Sequence, residues 1–195
     1  MENGLISEMD SVHLKLIRKN VSKFLRECGQ LYDAPGILLD IAPQNYEVAA
    51  ASFRKAKILT LDINPLSEAT YIADICRNNR RVIPDEYFDF VVCTEVLEHT
   101  VDPFAAVGEI YRILKPKGLV FISVPFNFRI HGPLPDCWRF TKYGLQVLLK
   151  HYSIIQMTEL ETDGRWLMPI HYTVIAQKLL DNGDDIPVRG EDVPL

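Results

Sequence analysis

Apolar residues follow a helical spacing near the start of the chain and form short continuous runs further along. Between residues 14 and 28 they recur every three or four positions, which predicts an amphipathic helix that ends at Gly29. Five later runs have the length of strands buried on both faces, and helical or polar segments separate them. These runs are ILLDI (37–41), KILTLDI (57–63), TYIADI (70–75), FDFVVCTE (88–95) and KGLVFISVP (117–125).

Helical segments are predicted at residues 46–55, at residues 103–114 and in TKYGLQVLLKHY, where Thr141 is the expected N-cap. Two late apolar runs, YSIIQMTEL and HYTVIAQKLL, are predicted to be closing strands. Strands that alternate with helices indicate a parallel sheet with right-handed crossovers. The pattern therefore predicts an α/β fold with a doubly wound, Rossmann-like sheet of about seven strands, mostly parallel, with an antiparallel strand near the C-terminus.

Chain length and net charge restrict the number of domains and the classes of partner that are expected. A chain of 195 residues with 48% hydrophobic content suits one domain, expected over residues 1–180, with residues 1–30 as the leading amphipathic helix. Residues 181–195 are acidic and contain proline, so a mobile tail is expected there. A net charge of -5 gives no general attraction to nucleic acid. The apolar stripe of the leading helix is compatible both with dimerisation and with packing on the sheet, so the oligomeric state stays open.

The N-terminus and the cysteines indicate the compartment. The acidic N-terminus lacks an apolar core of signal-peptide length, and no stretch has the length of a membrane span, so no membrane insertion is expected. The four cysteines are far apart and form no C-x-x-C pair, which favours reduced thiols over disulfides or a zinc site. A cytoplasmic location is predicted.

Acidic residues end three successive predicted strands, and a further polar pair closes the fourth. They are Asp40, Asp62 and Asp74, followed by Thr94 and Glu95. In open α/β sheets, ligands bind at the carboxyl ends of the strands, so these residues would share the ligand edge. The alternative for each aspartate is that it only caps the helix or turn that follows.

The segment FDFVVCTEVLEHTVDPFAAVGEIYRILKPKGLVFISVP, residues 88–125, resembles the class I S-adenosylmethionine-dependent methyltransferases, and the resemblance extends over residues 36–178. It implies an enzyme that uses S-adenosylmethionine to methylate a small-molecule or glycan-like acceptor by in-line displacement. A second hypothesis is a catalytically silent, methyltransferase-like binding or scaffold domain. A nicotinamide-dependent oxidoreductase fits less well, because the chain lacks the glycine pattern that holds a pyrophosphate on a helix N-terminus.

The resemblance also implies which residues contact the cofactor. Asp62 would accept hydrogen bonds from the ribose hydroxyls, Asp74 with the Ile75 backbone would contact the adenine, and the end of the fourth strand would line the methionine part. The turn after the first strand departs from the family pattern, because residues 42–46 read APQNY where the family usually has glycines. The predicted cofactor-binding residues are Asp40, Ala42, Gln44, Asp62, Ile63, Asp74, Ile75, Thr94 and Glu95.

The loop HGPLPDCWRFT, after the fifth strand, carries the candidate catalytic groups: His131 and Asp136 as bases, and Arg139 as a clamp for an anionic group. Trp138 is a candidate wall for the substrate, and Arg165 a candidate lid contact. The structural alternatives are that Trp138 anchors the loop, that Arg139 pairs with Asp136, and that Arg165 is an ordinary loop anchor.

Glu95 and His99 lie four residues apart on a presumed helix, a spacing that can place two metal ligands on one face. No third ligand follows at a suitable spacing, so no metal site is predicted. His171, beside a tyrosine at the start of an apolar run, is expected to be a packing residue at a strand edge.

Overall fold

The structure is a computed structural model that describes residues 6–43 and 47–179. Gln44 and the predicted tail over residues 181–195 lie outside these ranges. The helices are α1 (Glu8–Tyr32), α2 (Val48–Ser52), α3 (Pro103–Ile113) and α4 (Lys142–Leu148), and a 3-10 turn spans Leu97–His99. The strands are β1 (Gly36–Ile41), β2 (Ala56–Asp62), β3 (Tyr71–Ile72), β4 (Phe88–Thr94), β5 (Leu114–Pro125), β6 (Tyr152–Leu160) and β7 (His171–Lys178).

One seven-stranded sheet in the order β3-β2-β1-β4-β5-β7-β6 organises the fold. The pairs from β3 to β5 are all parallel, whereas β7 runs antiparallel to both of its neighbours. This arrangement confirms the predicted fold class, including the antiparallel strand near the C-terminus. Strand order reverses between β1 and β4, which is the point where sheets of this kind bind their ligands.

Both faces of the sheet are covered, which explains why the strand sequences are continuous apolar runs rather than alternating ones. On one face, α1 and α2 pack through residues such as Phe24 and Phe53 against Leu38 of β1. On the other face, α3 and α4 pack through residues such as Ile110 and Leu145 against Leu39. Adjacent residues of β1 therefore belong to two different core layers, as the two-residue period of a strand requires.

Helix α1 does not end at Gly29, as predicted, but continues to Tyr32. A side chain at Gly29 would place its Cβ 2.3 Å from the backbone oxygen of Ser52 in α2. The glycine therefore allows two helices to approach closely instead of stopping one of them. The actual end is at Asp33, whose carboxylate accepts hydrogen bonds from the backbone N–H groups of Arg54 and Lys55.

Other predicted bounds need smaller corrections. The second helix is shorter than expected, because α2 covers only Val48–Ser52. Strand β5 begins at Leu114, so Pro116 and Gly118, which were expected to form a turn, lie inside the strand. The start of the strand is irregular, because its pairing with β4 shifts register there. Lys117 there takes a left-handed φ of 64°. Thr141 caps α4 as predicted, since its hydroxyl accepts from the N–H of Gly144.

Within the described part of the chain, no helix combines the length and the apolar character that crossing a membrane requires. The longest, α1, buries one stripe and exposes the other. The four cysteines form no disulfide, which agrees with the prediction of reduced thiols.

Replacing Gly29 by alanine should lower the free energy of unfolding by about 1 to 3 kcal/mol, the usual range for overpacking a close contact. The matched control is Gly108→Ala in α3, where an added Cβ meets nothing within 4 Å. That exposed helical position should be neutral or gain up to about 1 kcal/mol, because alanine favours a helix over glycine. Urea denaturation of the two variants measures both effects, and equal stabilities would contradict the assigned contact.

Candidate active site

The carboxyl ends of the parallel strands bring the predicted acidic residues to one edge of the sheet. Asp40 pairs in register with Thr60 of β2 and Val92 of β4, Asp62 ends β2, and Asp74 follows β3 by two residues. The positions predicted from the sequence are therefore neighbours in the fold. Their roles toward a cofactor stay predictions.

Asp62 and Asp74 each use one carboxylate oxygen to hold the turn that follows. Oδ1 of Asp62 accepts from the N–H of Asn64 at 2.8 Å, and Oδ1 of Asp74 accepts from the N–H of Cys76 at 2.8 Å. The second oxygen of Asp62 accepts no hydrogen bond from the described residues. A carboxylate with one oxygen in a turn can still bind a ligand with the other, so the two readings are compatible for Asp62. The second oxygen of Asp74 lies 3.5 Å from Nε of Arg77.

The side chains beside these acids differ in exposure. Ile63 is 66% exposed, whereas Ile75 is buried. Thr94 ends β4 opposite Ser123 of β5. Ile63 thus presents an apolar surface at the edge where Asp62 and Asp74 present their carboxylates.

The turn after β1 has the backbone shape that glycine usually provides. Ala42 takes a left-handed φ of 50°, and its N–H donates to the carbonyl of Leu61 at 2.7 Å. This conformation costs an alanine about 1 kcal/mol. Asp40, just before the turn, is buried without a hydrogen bond to its carboxyl group from the described residues, and burial raises its pKa to about 7. The glycine-poor sequence therefore does not prevent the bend.

Glu95 lies at the centre of a partly buried polar network. It takes a left-handed φ of 55°, and its Oε1 accepts from Ser123 Oγ at 2.8 Å and from His171 Nε2 at 2.6 Å. On the other side of the imidazole, Nδ1 lies 2.9 Å from Asn20 Nδ2. Burial acts to raise the pKa of Glu95, but the charge and the hydrogen bond of His171 outweigh it, so the pKa lies below its ordinary value.

The sequence-based assignment of His171 as a simple packing residue was incomplete. His171 is fully buried, but it also bonds Glu95. The signal that would have found it is topological: β7 is antiparallel to β5, so the first residue of β7 lies beside the last residue of β5, at the ligand edge.

In the loop after β5, Arg139 and Asp136 bind each other. Two parallel hydrogen bonds join them, at 2.6 Å and 2.7 Å, and Arg139 also donates to the carbonyls of Phe128, Arg129 and Trp138. Burial acts to raise the pKa of Asp136, but the hydrogen bonds of Arg139 lower it to about 2. The structural alternative for this pair is thus what the fold forms, and Arg139 holds the loop together rather than standing free as a clamp.

Trp138 and Arg165 are also placed by contacts within the chain. The indole N–H of Trp138 donates to the carbonyl of Thr100, and its ring stacks on Phe140, yet the side chain is still 40% exposed. Arg165 reaches Met9 of α1, with its Nη1 4.0 Å from the sulfur. Trp138 is therefore an anchored side chain with a free surface, and Arg165 joins its loop to the start of α1.

Three residues, which we call the Glu98 cluster, stand together beside this loop: Glu98, His99 and His131. Nε2 of His99 and Nε2 of His131 lie 3.8 Å and 3.9 Å from Oε1 of Glu98. Glu98 is fully buried, and neither of its carboxylate oxygens has a hydrogen-bond partner among the described residues. Its pKa is raised well above the ordinary value, first by burial and then by the charge of Glu95. The acid beside His99 in this cluster is Glu98, whereas the spacing in the sequence had suggested Glu95 for the pair that was considered and rejected as a metal site.

Comparison with known proteins finds a family model that matches just over half of the chain. The family model described as "Methyltransferase domain" matches residues 20–122. A probable polyketide synthase 26 from Dictyostelium discoideum is 26% identical over 131 residues, which are 63% of this chain and 5% of that protein. A ubiquinone biosynthesis O-methyltransferase from Proteus mirabilis is 43% identical over 54 residues, 28% of this chain and 22% of that protein. The chain matches only a small part of the length of these curated relatives.

Solved structures share the fold at low sequence identity. The 1,6-didemethyltoxoflavin-N1-methyltransferase of Burkholderia thailandensis, with bound 1,6-didemethyltoxoflavin and S-adenosylhomocysteine, superposes with a TM-score of 0.60 at 16% identity, over 92% of this chain and 94% of that one. A SAM-dependent methyltransferase from Archaeoglobus fulgidus gives 0.64 at 17% identity, over 83% and 94%. Similarity at this level establishes the common fold.

Replacing Asp136 by asparagine should remove a pH-dependent part of the stability. The pKa of Asp136 is about 2 in the folded chain against an ordinary value of 3.8, so its pairing stabilises the fold above about pH 4 and is lost as the pH falls toward 2. Near pH 7 the variant should be less stable by about 1 to 2 kcal/mol, after discounting the shift for solvent screening.

Urea denaturation between pH 7 and the lowest pH at which both proteins are folded measures this difference. The difference in the free energy of unfolding between the variant and the unmodified chain should shrink below pH 4. The control is Asp163→Asn, an exposed acid in the loop after β6, which should follow the unmodified chain at every pH. A difference for Asp136→Asn that is independent of pH would contradict the assignment.

Proposed function

Because this chain belongs to the family of S-adenosylmethionine-dependent methyltransferases, we propose that it transfers the methyl group of S-adenosylmethionine to a small-molecule or glycan-like acceptor. The match over residues 20–122 confirms the resemblance recognised in the sequence, and with it the cofactor. The acceptor, the individual site residues, the single-domain division and the cytoplasmic location are proposals.

The observation that carries the proposal is the set of carboxylates on adjacent strand ends. Asp40 lies in β1, Asp62 ends β2 and Asp74 follows β3, on the side of the switch point where such sheets bind nucleotides. A carboxylate accepts two donors from a diol, and the second oxygen of Asp62 accepts no hydrogen bond from residues 6–43 and 47–179. Asp62 would hold the ribose, and Asp74 with the Ile75 backbone would hold the adenine.

The residues present fit the cofactor. Ala42 has already adopted the left-handed bend that lets a backbone approach a ligand closely, so the absence of glycine does not close the turn. Asp40 and Ala42 would face the methionine part together with Thr94 and Glu95. Ile63, exposed beside Asp62, would cover one side of the bound nucleoside.

When bound, S-adenosylmethionine supplies an electrophilic methyl group on a sulfonium sulfur. The chain then has to hold the acceptor in line with that group and exclude water, which can contribute most of the acceleration in a displacement. The loop over residues 126–140 suits this task, because the Arg139–Asp136 pair fixes it and Trp138 offers an anchored, partly exposed aromatic surface.

An acceptor with an oxygen or nitrogen nucleophile has a proton to lose. Of the two candidate bases in the loop, Asp136 is held as the charge partner of Arg139, which leaves it poorly suited to take a proton. His131 is the remaining candidate, beside the buried carboxyl group of Glu98. The acceptor side of the proposed site is therefore the Glu98 cluster together with Trp138.

The proposal is tested by isothermal calorimetry of the full chain with S-adenosylhomocysteine. A methyltransferase should bind one equivalent of this product. If no heat of binding is detected at millimolar concentrations, the enzymatic function is wrong, and the alternative of a catalytically silent binding or scaffold domain takes its place.

Replacing Asp62 by alanine should weaken S-adenosylhomocysteine binding by about 1 to 3 kcal/mol, the scale of losing hydrogen bonds to a charged group. The matched control is Glu68→Ala, an exposed acid in the stretch between β2 and β3, which should bind as tightly as the unmodified chain. An unchanged affinity in the Asp62 variant would rule out the ribose contact.

A further inference from the structure

The Glu98 cluster is built from two segments that are distant in the sequence. Glu98 and His99 come from the 3-10 turn after β4, whereas His131 comes from the loop after β5. The fold brings one ligand atom of each residue within 4.8 Å of the others. The missing third ligand, on which the sequence-based rejection of a metal site depended, is thus His131.

The carboxyl group of Glu98 lacks compensation for its burial. It is fully buried, and both of its oxygens are without a hydrogen-bond partner in the part of the chain that the structure describes. A buried acid in this state costs several kcal/mol unless a charge or a donor compensates for it. The guanidinium of Arg139, whose charge acts on Glu98, is bound to Asp136 through two hydrogen bonds.

The separations within the cluster suit an ion between the atoms better than direct hydrogen bonds. Oε1 of Glu98 lies 3.8 Å from Nε2 of His99 and 3.9 Å from Nε2 of His131, beyond hydrogen-bond range. Two ligands on one zinc-like ion, each at about 2.0 to 2.2 Å from it, are at most about 4.4 Å apart, so both separations from Glu98 fall within this limit. All three ligand atoms lie within 4.8 Å of one another.

Each imidazole has an oxygen close to its Nδ1. Nδ1 of His99 lies 3.0 Å from the carbonyl of Pro135 and donates to it, so Nε2 is the ring nitrogen that is left for a metal ion. Nδ1 of His131 lies 3.1 Å from Oδ2 of Asp136, outside hydrogen-bond angles, and Arg139 holds that carboxylate. Histidines that bind metals usually have such an oxygen behind the ring.

We propose that Glu98, His99 and His131 bind a divalent transition-metal ion of the zinc type. Two imidazoles with one carboxylate favour such an ion over magnesium or calcium, which prefer oxygen ligands. Three protein ligands leave at least one position for a water or another oxygen. If the chain is the methyltransferase proposed above, an oxygen of the acceptor would take that position, and His131 would act through the ion rather than as a free base.

The test uses the full chain, without a histidine tag, after treatment with a chelator. Titration with Co²⁺ should show one equivalent bound, with visible d–d absorption from a site of low coordination number, and Zn²⁺ should displace it. His131→Ala and Glu98→Gln should each weaken Co²⁺ binding by at least about tenfold. The matched control is His151→Ala, an exposed histidine that packs on Tyr111 and should bind Co²⁺ as the unmodified chain does.

Absence of Co²⁺ binding at millimolar concentrations, or binding that both variants retain, would overturn the metal site. Glu98→Gln keeps the size of the side chain, so it remains decisive if His131→Ala fails to fold. Calorimetry with S-adenosylhomocysteine on the same chelated protein separates the two proposals. Cofactor binding without Co²⁺ binding rejects only the metal site, whereas Co²⁺ binding without cofactor binding rejects only the methyltransferase.

Discussion

The parallel pairing of β1 with β2 on one side and β4 on the other is the constraint on which the site depends. Parallel strands need long crossovers, so every return segment lies on a face of the sheet, and the loops that follow the strands gather at one edge. The pairing sets Asp40 level with Thr60 and Val92, and it brings the ends of β2, β4 and β5 to the same crevice. The polar groups of the chain converge at this edge, whereas the two faces of the sheet are covered by apolar side chains.

Burial on both faces explains several other features of the molecule. Two helices share one face with so little space that Gly29 has to lie against the backbone of Ser52. At the ligand edge the same close packing encloses polar groups, and each has to be compensated where it lies. Glu95 is compensated by His171 and Ser123, and Asp136 by Arg139. Glu98 has no such partner among the described residues, and Asp40 shares this property.

Local patterns were sufficient to predict most elements and the edge where a ligand would bind, because strand length, turn residues and apolar periodicity depend on near neighbours in the chain. The Asp62 and Asp74 positions were found in this way. The Arg139–Asp136 pair was predicted only as the structural alternative to separate catalytic roles for the two residues. A separation of three residues allows both arrangements. Spacing misled at Glu95 and His99, because a 3-10 turn, rather than an α-helix, follows β4.

By itself, the sequence determined the α/β class, the family resemblance and the series of acids at strand ends. Each of these depends on residues that are close to one another in the chain. Only the tertiary structure decided that His171 bonds Glu95, that His131 joins Glu98 and His99, and that Gly29 serves a helix contact. The physical reason is that these contacts join residues brought together by sheet order and by close packing. Neither of these leaves a periodic signal in the sequence.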